Sequence, residues 1–327
     1  MTLNKRVKSI SSILSSVILT LFGLMVITFM IGRVMPVDPV IAAVGDNAPE
    51  DVIVRVRAEM GLDQPLVVQF FHYVSQVLHG DFGNSILTRN PVWVDITRVF
   101  PATFELATAA LILAALIGIP LGVWAAVRQG KTTDQIIRIV CLAGHSVPVF
   151  MLALISLLVF YATLGVAPGP GRQDIIYDGM ISPVTGLMTV DTLLAGDWGA
   201  FYDALAHMVQ PVCILAYFSM AYITRMTRAF MIDALKGEYV ITARAKGLSA
   251  MTVIWGHAFP TVAVQLVTVL ALTYAGLLEG AVVTETVFSW PGLGRLAFEA
   301  VMARDFSVLL GILLLSSLVV IIVNAAV

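Results

Sequence analysis

The sequence predicts an all-α membrane protein with six transmembrane helices and a cytoplasmic N-terminus. Three observations predict it. Of 327 residues, 59% are hydrophobic and only 12% charged, with a mean hydropathy of +0.93. A soluble domain carries about 25% charged residues, so this chain would expose large apolar patches in water and belongs largely in lipid. Six apolar stretches reach the ~20 residues that a helix needs to cross the hydrocarbon core. Finally, the lysines gather in alternate loops. The net charge of −2 gives no sign of nucleic-acid binding.

The first span, Ser9–Gly32, follows Lys5, Arg6 and Lys8. It is too long for a signal-peptide core and lacks a small-residue cleavage site, so it is retained. Residues 33–103 form the longest non-spanning segment. Asn47 opens a short helix over Pro49–Met60, and Asp63 caps a second one with Pro65 in its first turn. That second helix places Leu66, Phe70, Tyr73, Val74 and Val77 at helical spacing. Trp93 and Phe100 follow near the start of the next span. The segment reads equally as an ordered cap on the spans or as a dock for an extracytoplasmic partner.

The later spans are Leu106–Val127 with Pro120, Ile139–Ala167 with Pro148, Ala206–Thr224 between Asp203 and Arg225, Pro260–Leu278 and Phe306–Val327. Their prolines mark kinks, because neighbouring helices satisfy the freed carbonyls. With the N-terminus inside, every lysine is cytoplasmic and only arginines lie outside, as the positive-inside rule requires. Two further outer loops follow. Pro168–Asp203 is rich in Gly, Pro and Asp. The other holds Trp290-Pro-Gly292, a tight turn, with Gly292 and Gly294 permitting close backbone approach. The last span ends without a headgroup anchor, so the natural chain is expected to continue a few residues past Val327. Cys141 and Cys213 lie in apolar runs without metal or redox spacing. The organisation predicted is a tail and first helix (1–32), a helical cap (33–103) and a five-helix core (104–327) with a cytoplasmic loop at 229–259.

That loop is the most informative stretch. Glu238, after Gly237, suits the positive end of a helix dipole, and Arg244 and Lys246 suit the negative end. Gly247 takes the left-handed position beyond the helix, Leu248 folds back on Ala243 or Thr242, and Ser249 caps the next helix. Ala243 and Ala245 are expected to keep the surface narrow enough for another protein to approach. Ordinary caps on a short hairpin would look similar. The full spacing, from Glu238 through Gly247 to Pro260, argues for more.

The Glu…Ala…Gly pattern with a following proline resembles the "EAA" signature of ABC importer permeases. The likeness extends to Asp38-Pro39, Gly61-Leu-Asp-Gln-Pro65, Gly80-Asp-Phe-Gly83, Pro101-Ala-Thr-Phe-Glu-Leu106, Gly118-Ile-Pro-Leu-Gly122, Ser146-Val-Pro-Val-Phe150, Thr224-Arg-Met-Thr-Arg228 and Phe288-Ser-Trp-Pro-Gly-Leu-Gly294. These resemble the dipeptide/oligopeptide/nickel branch. Pro183-Val-Thr-Gly-Leu-Met188 with Ala206-His-Met208 resembles its dipeptide permeases of the B type. Nearly the whole chain is covered.

The resemblance implies a type I importer (MetI-like) fold in the bacterial inner membrane and one half of a heterodimeric pore. It implies a homologous second permease, two cytoplasmic ATPase subunits holding ATP and Mg, and a periplasmic substrate-binding protein. This chain carries no Gly-Lys-Ser/Thr phosphate loop, so it is expected to bind no nucleotide and to be no enzyme by itself. The ATPase-coupling residues implied are Glu238, Tyr239, Ala243, Arg244, Lys246, Gly247 and Leu248. Those implied for the outer gate or binding-protein dock are Trp290, Pro291, Gly292, Gly294 and Arg295.

Ionisable groups in spans default to function. Glu105 and Glu279 near outer span ends, with His145 and Ser146 in the third span, are the candidate substrate pathway. Glu279 stands where the resemblance implies a small residue. An acid at a span end can also simply reach headgroups, and His145 can serve only a helix–helix hydrogen bond. No His/Cys cluster marks a metal site. The substrate implied is a di- or oligopeptide, with a nickel complex or glutathione as the alternative. A stand-alone carrier or channel would show internal repeats or midmembrane charges, and an intramembrane enzyme a catalytic pair. Neither is evident.

Overall fold

The computed structural model of the chain describes residues 15, 17–30, 39–45, 48–59 and 61–326. Lys5, Arg6, Lys8, Asp38, Asn47, Met60 and Val327 lie outside the described residues, as do parts of the predicted first span. Among the described residues the structure is helical, apart from one isolated antiparallel bridge between Asn84 and Pro91. Among the described residues, four helices are long and apolar enough to span a membrane, and a bent helix pair makes a fifth candidate. The first predicted span is represented by α1, Val17–Met30. The helices that follow are α2 (Pro39–Val44), α3 (Glu50–Glu59), α4 (Leu66–Leu78), α5 (Val92–Val127), α6 (Thr132–Ser146), α7 (Val149–Ser156), α8 (Met188–Ala195), α9 (Trp198–Leu235), α10 (Glu238–Ala245), α11 (Phe259–Gly280), α12 (Val282–Val287), α13 (Leu293–Ala303) and α14 (Phe306–Ala326).

The chain divides into two compact units, one of the residues up to Arg98 with Leu296–Ala325, the other built on Val99–Arg295. In the first, Phe29 meets Phe70 edge-on at 5.3 Å and Thr28 shares a 2.9 Å hydrogen bond with Tyr73. The apolar stripe of α4 faces inward as its spacing predicts, except Leu66, which is exposed. Asp63 does not cap α4. The buried Gln69 amide donates back to the Leu62 and Gln64 carbonyls instead and fixes the turn. The fully buried Asp305 opens α14 and accepts from Ser85 Oγ and Ile86 N, both at 2.7 Å.

In the second unit α9 is the hub, with α6, α7, α8 and α11 packed on it. Its apolar window is 67% buried, against 33% for the span that includes α11. At 1.5 Å per residue, a 38-residue helix is about 57 Å long, well beyond the ~30 Å hydrocarbon core. Hydropathy finds only the part inside lipid, so the predicted span Ala206–Thr224 falls short at both ends. The predicted third span is not continuous. Pro148 forces Val147 into an extended conformation (φ −93°, ψ 127°), and α6 and α7 meet at 90°. Pro101 and Pro120 in α5 and Pro211 in α9 leave their helices intact. α7 continues into a π-helical turn over Leu157–Thr163, and another π-helical stretch, Thr252–Ala258, leads into α11.

Close approach of α5 to α9 rests on two glycines. A Cβ at Gly122 would sit 2.5 Å from Thr227 Cβ and 2.8 Å from the Thr224 carbonyl oxygen, and one at Gly118 would crowd Met220 and Ile223. Thr224 Oγ1 donates across the same contact to the Gly118 carbonyl at 3.1 Å. A Cβ at Gly276 in α11 meets no heavy atom within 4 Å. Gly122→Ala is therefore expected to lower stability by about 1–3 kcal/mol through overpacking. Gly276→Ala is expected to be neutral or stabilising by up to about 1 kcal/mol through helix propensity. Thermal unfolding of the two variants in detergent checks the contrast.

Candidate functional site

The cytoplasmic elbow is built as a stopped helix. α10 opens at Gly237 and ends at Lys246, and Gly247 adopts φ +78°. Its N–H donates to the Arg244 carbonyl at 2.9 Å, and the Leu248 N–H reaches the Ala243 carbonyl at 3.4 Å. This pair of bonds is the Schellman arrangement. Ser249 Oγ then accepts from the Thr252 N–H at 3.2 Å and opens the next helical turn. Local chemistry thus fixes both the stop and the restart.

One face of α10 is anchored. Val240 and Ala243 are buried in a cluster with Val123 and Ala126 from the end of α5, Met231 from α9, and Val253, Ala258, Val262 and Leu266 from the approach to α11 and its first turns. The other face is open: Glu238, Tyr239, Ile241, Arg244, Lys246, Gly247 and Leu248 are exposed. Ala243 corrects the sequence reading. Helical register turns it into the cluster, so only Ala245 keeps the outer surface narrow. The open face mixes one acid, two bases and the apolar Tyr239 and Ile241, which suits a protein surface.

Above this elbow, Arg228 of α9 makes two hydrogen bonds to the buried Asp134 of α6, at 2.6 and 2.8 Å. The opposite end of the same unit holds a second polar structure, which the sequence reading missed. Glu285 of α12 is fully buried. It accepts from Thr103 Oγ1 at 2.6 Å and from the Arg295 N–H at 3.0 Å, while the Leu293 N–H donates to Thr103 Oγ1 at 2.7 Å. Burial pushes the Glu285 carboxyl above the usual carboxylate range, and the hydroxyl of Thr103 and the N–H groups of Arg295 and Gly294 pull it partly back.

Trp290, also fully buried, donates its indole N–H to the Ala102 carbonyl at 3.0 Å, and the Arg172 guanidinium lies 5.7 Å from its ring centroid. Gly292 and Gly294 are glycines because a Cβ at either would strike Glu285, and at Gly294 also the Val282 backbone at 2.4 Å. Of the expected docking residues, then, Trp290, Gly292 and Gly294 turn inward, Pro291 is exposed, and the half-buried Arg295 donates to the Ser289 carbonyl.

The candidate pathway residues separate. Glu105 is 8% exposed and pairs with Arg172. It also accepts from the N–H groups of Met188 and Thr189, at 3.3 and 2.8 Å, so it caps the first turn of α8, where the helix dipole favours an anion. Asp191 holds the preceding turn by accepting from the Thr185 N–H and hydroxyl and the Gly186 N–H. Burial raises the Asp191 carboxyl, but these donors together bring it below its ordinary value. Glu279 is exposed near the end of α11. Ser146 donates to the Leu142 carbonyl at 2.9 Å. The His145 side chain lies outside the described residues. Glu105, Glu279 and Ser146 thus occupy three different settings: a helix cap, an exposed helix end and a backbone bond within α6.

Comparison with known proteins follows the same lines. The family described as binding-protein-dependent transport system inner membrane component matches residues 118–327, and its N-terminal membrane component matches residues 8–107. A probable D,D-dipeptide transport system permease protein, DdpB of Escherichia coli K12, is 41% identical over 312 residues, covering 95% of this chain and 91% of that protein. The di/tripeptide transport system permease protein DppB of Pseudomonas aeruginosa UCBPP-PA14 is 41% identical, covering 93% and 90%. Among solved structures, the inward-facing MetNI methionine ABC transporter superposes with a TM-score of 0.50 at 16% identity, covering 69% of this chain and 89% of that one. That likeness concerns the fold alone.

Two predictions follow from the buried carboxylates. Glu285→Ala strands the Thr103 hydroxyl and the Arg295 N–H without an acceptor. At roughly 1–3 kcal/mol for each buried donor, it is expected to cost on the order of 2–6 kcal/mol in detergent unfolding, while Glu279→Ala stays within about 0.5 kcal/mol. Asp191 has a folded pKa below its unfolded value of about 3.9. Its stabilisation is therefore present above that value and lost as pH falls through the folded one. Asp191→Asn is expected to be less stable at neutral pH and to lose part of the acid-side fall in melting temperature.

Proposed function

The chain belongs to the family of binding-protein-dependent transport system inner membrane components, and we propose that it is the pore-forming permease subunit of an ATP-driven importer of di- and oligopeptides. The observation that carries this reading is the identity of 40–41% with dipeptide and di/tripeptide permeases across at least nine-tenths of both chains. As a multi-pass inner membrane protein it would act with a homologous second permease, two cytoplasmic ATPase subunits that bind ATP and Mg, and an extracytoplasmic binding protein that delivers the peptide. It contributes no catalytic residue and no cofactor of its own.

In this reading the open face of α10 seats on an ATPase subunit. Closure of the ATPase pair displaces α10 as a rigid body. Val240 and Ala243 tie α10 to the ends of α5, α9 and α11, so the displacement passes to three spans rather than bending one loop. The pore then opens outward to the docked binding protein and returns inward after hydrolysis. Glu279, exposed near the outer end of α11, offers a carboxylate to the ammonium of a passing peptide. Contact there must be weak, because delivered peptide has to leave.

Gly247 provides the sharpest test, since a Cβ there meets no atom within 4 Å and a substitution acts only through its φ of +78°. Gly247→Val adds left-handed strain of roughly 1–2 kcal/mol and redirects the segment after α10. The expected outcome in proteoliposomes with the full complex is a fall in peptide uptake of about tenfold or more per ATP hydrolysed, with subunit stoichiometry unchanged. Glu238→Ala should act in the same direction. Unchanged, coupled uptake in an intact complex would sink the lever reading.

A further inference from the structure

The segment Thr224-Arg-Met-Thr-Arg228 borders a cavity of about 510 Å³ between α6 and α9. Its described lining includes Arg138, Arg225 and Arg228 and no carboxylate, with Tyr222, Ile139 and Leu142 beside them. Asp134 holds Arg228 through the double hydrogen bond and also feels the Arg138 charge, so the three guanidiniums and one carboxylate leave two positive charges in excess, centred on Arg138 and Arg225. Arg225 lies 5.5 Å from the Tyr222 ring centroid, a contact that orients a guanidinium without cancelling its charge.

The vertical order of these groups decides what fits. α6 rises from the cytoplasmic side and α9 descends to it. The Asp134–Arg228 bridge marks one level on both helices. Arg138 is four residues further along α6 and Arg225 three residues back along α9, so both lie one helical turn, about 5.4 Å, on the membrane side of the bridge. Ile139 and Leu142 continue in the same direction, and both are exposed on this chain, at 65% and 68%. The sequence from the cytoplasm inward is therefore an ion-paired bridge, two cations in excess, then an apolar wall.

We propose that this cavity binds one anionic phospholipid of the cytoplasmic leaflet, its phosphate between Arg138 and Arg225 and an acyl chain along Ile139 and Leu142. Charge complementarity selects the headgroup, and the apolar wall selects a lipid over a free anion. Basic pockets between spans on the cytoplasmic side favour such headgroups at roughly fivefold for each arginine near the surface. The lipid would fill the cavity between α6 and α9 and stabilise their packing.

The test uses the full chain with the subunits that accompany it, purified in mild detergent and stripped of loosely held lipid. Phosphatidylglycerol or phosphatidylcholine is titrated back while thermal unfolding is followed, and retained lipid is counted by mass spectrometry. Phosphatidylglycerol is expected to stabilise at roughly 25-fold lower concentration than phosphatidylcholine. In the double variant Arg138→Gln, Arg225→Gln that preference should vanish, and in Arg138→Lys, Arg225→Lys it should largely return. Because both arginines are exposed, the variants should elute as the parent does. As a readout independent of the variants, phosphatidylglycerol with a photoreactive acyl chain should label residues 132–146. Equal effects of the two lipids, undiminished preference in the glutamine variant, equal stabilisation by inorganic phosphate, or labelling confined to other segments would each overturn the proposal.

Discussion

Lipid removes the hydrophobic drive that brings helices together in water, so a membrane bundle depends on close packing and on polar contacts between its helices. In the Val99–Arg295 unit that constraint is met first at the α5–α9 seam. Gly118 and Gly122 let the backbones approach, and Thr224 donates across the gap to the Gly118 carbonyl. The seam holds together two helices, of 36 and 38 residues, that are each long enough to pass through the membrane and out of it. With α5 and α9 fixed side by side, their cytoplasmic ends form a floor for Val240 and Ala243, and α10 is anchored on it.

The two ends of this unit solve opposite problems with the same chemistry. At the outer end, buried carboxylates bind backbone: Glu285 gathers Thr103 and the start of α13, and Glu105 caps α8 and pairs with Arg172. Each removes several orphan donors from an apolar setting. At the inner end the backbone stops itself, through Gly247 and two helix-terminal bonds, and one face of α10, with Glu238, Tyr239, Ile241 and Arg244, stays exposed. An outer end locked by its own carboxylates and an inner end with an open face fit a device driven from the cytoplasm.

Much of this was legible in the sequence. The glycine stop at Gly247 and the restart at Ser249 follow from local rules that need no tertiary information, and the structure shows both, whereas the expected Asp63 cap is replaced by the Gln69 amide. Span positions were legible only as far as lipid extends. α9 and α5 overrun their predicted spans because hydropathy ignores the parts outside the hydrocarbon. Pro148 signalled a kink, and the extended conformation it imposes on Val147 makes that kink a full break between α6 and α7. The inward turn of Trp290, Gly292 and Gly294 was not legible, because it depends on Glu285, and Thr284-Glu-Thr286 gives no local sign that its acid is buried. Glu105 misled for the same reason, since its partners lie 67 to 84 residues away.

The most direct measurement places a photoreactive amino acid at Ile241, 60% exposed on the open face of α10, in the full complex in its native membrane. The cross-linked product is then identified by mass spectrometry. The account predicts a single dominant adduct with a cytoplasmic ATPase subunit, altered in yield when ATP is trapped on the complex. Adducts only with lipid, or only with another copy of this chain, would contradict it.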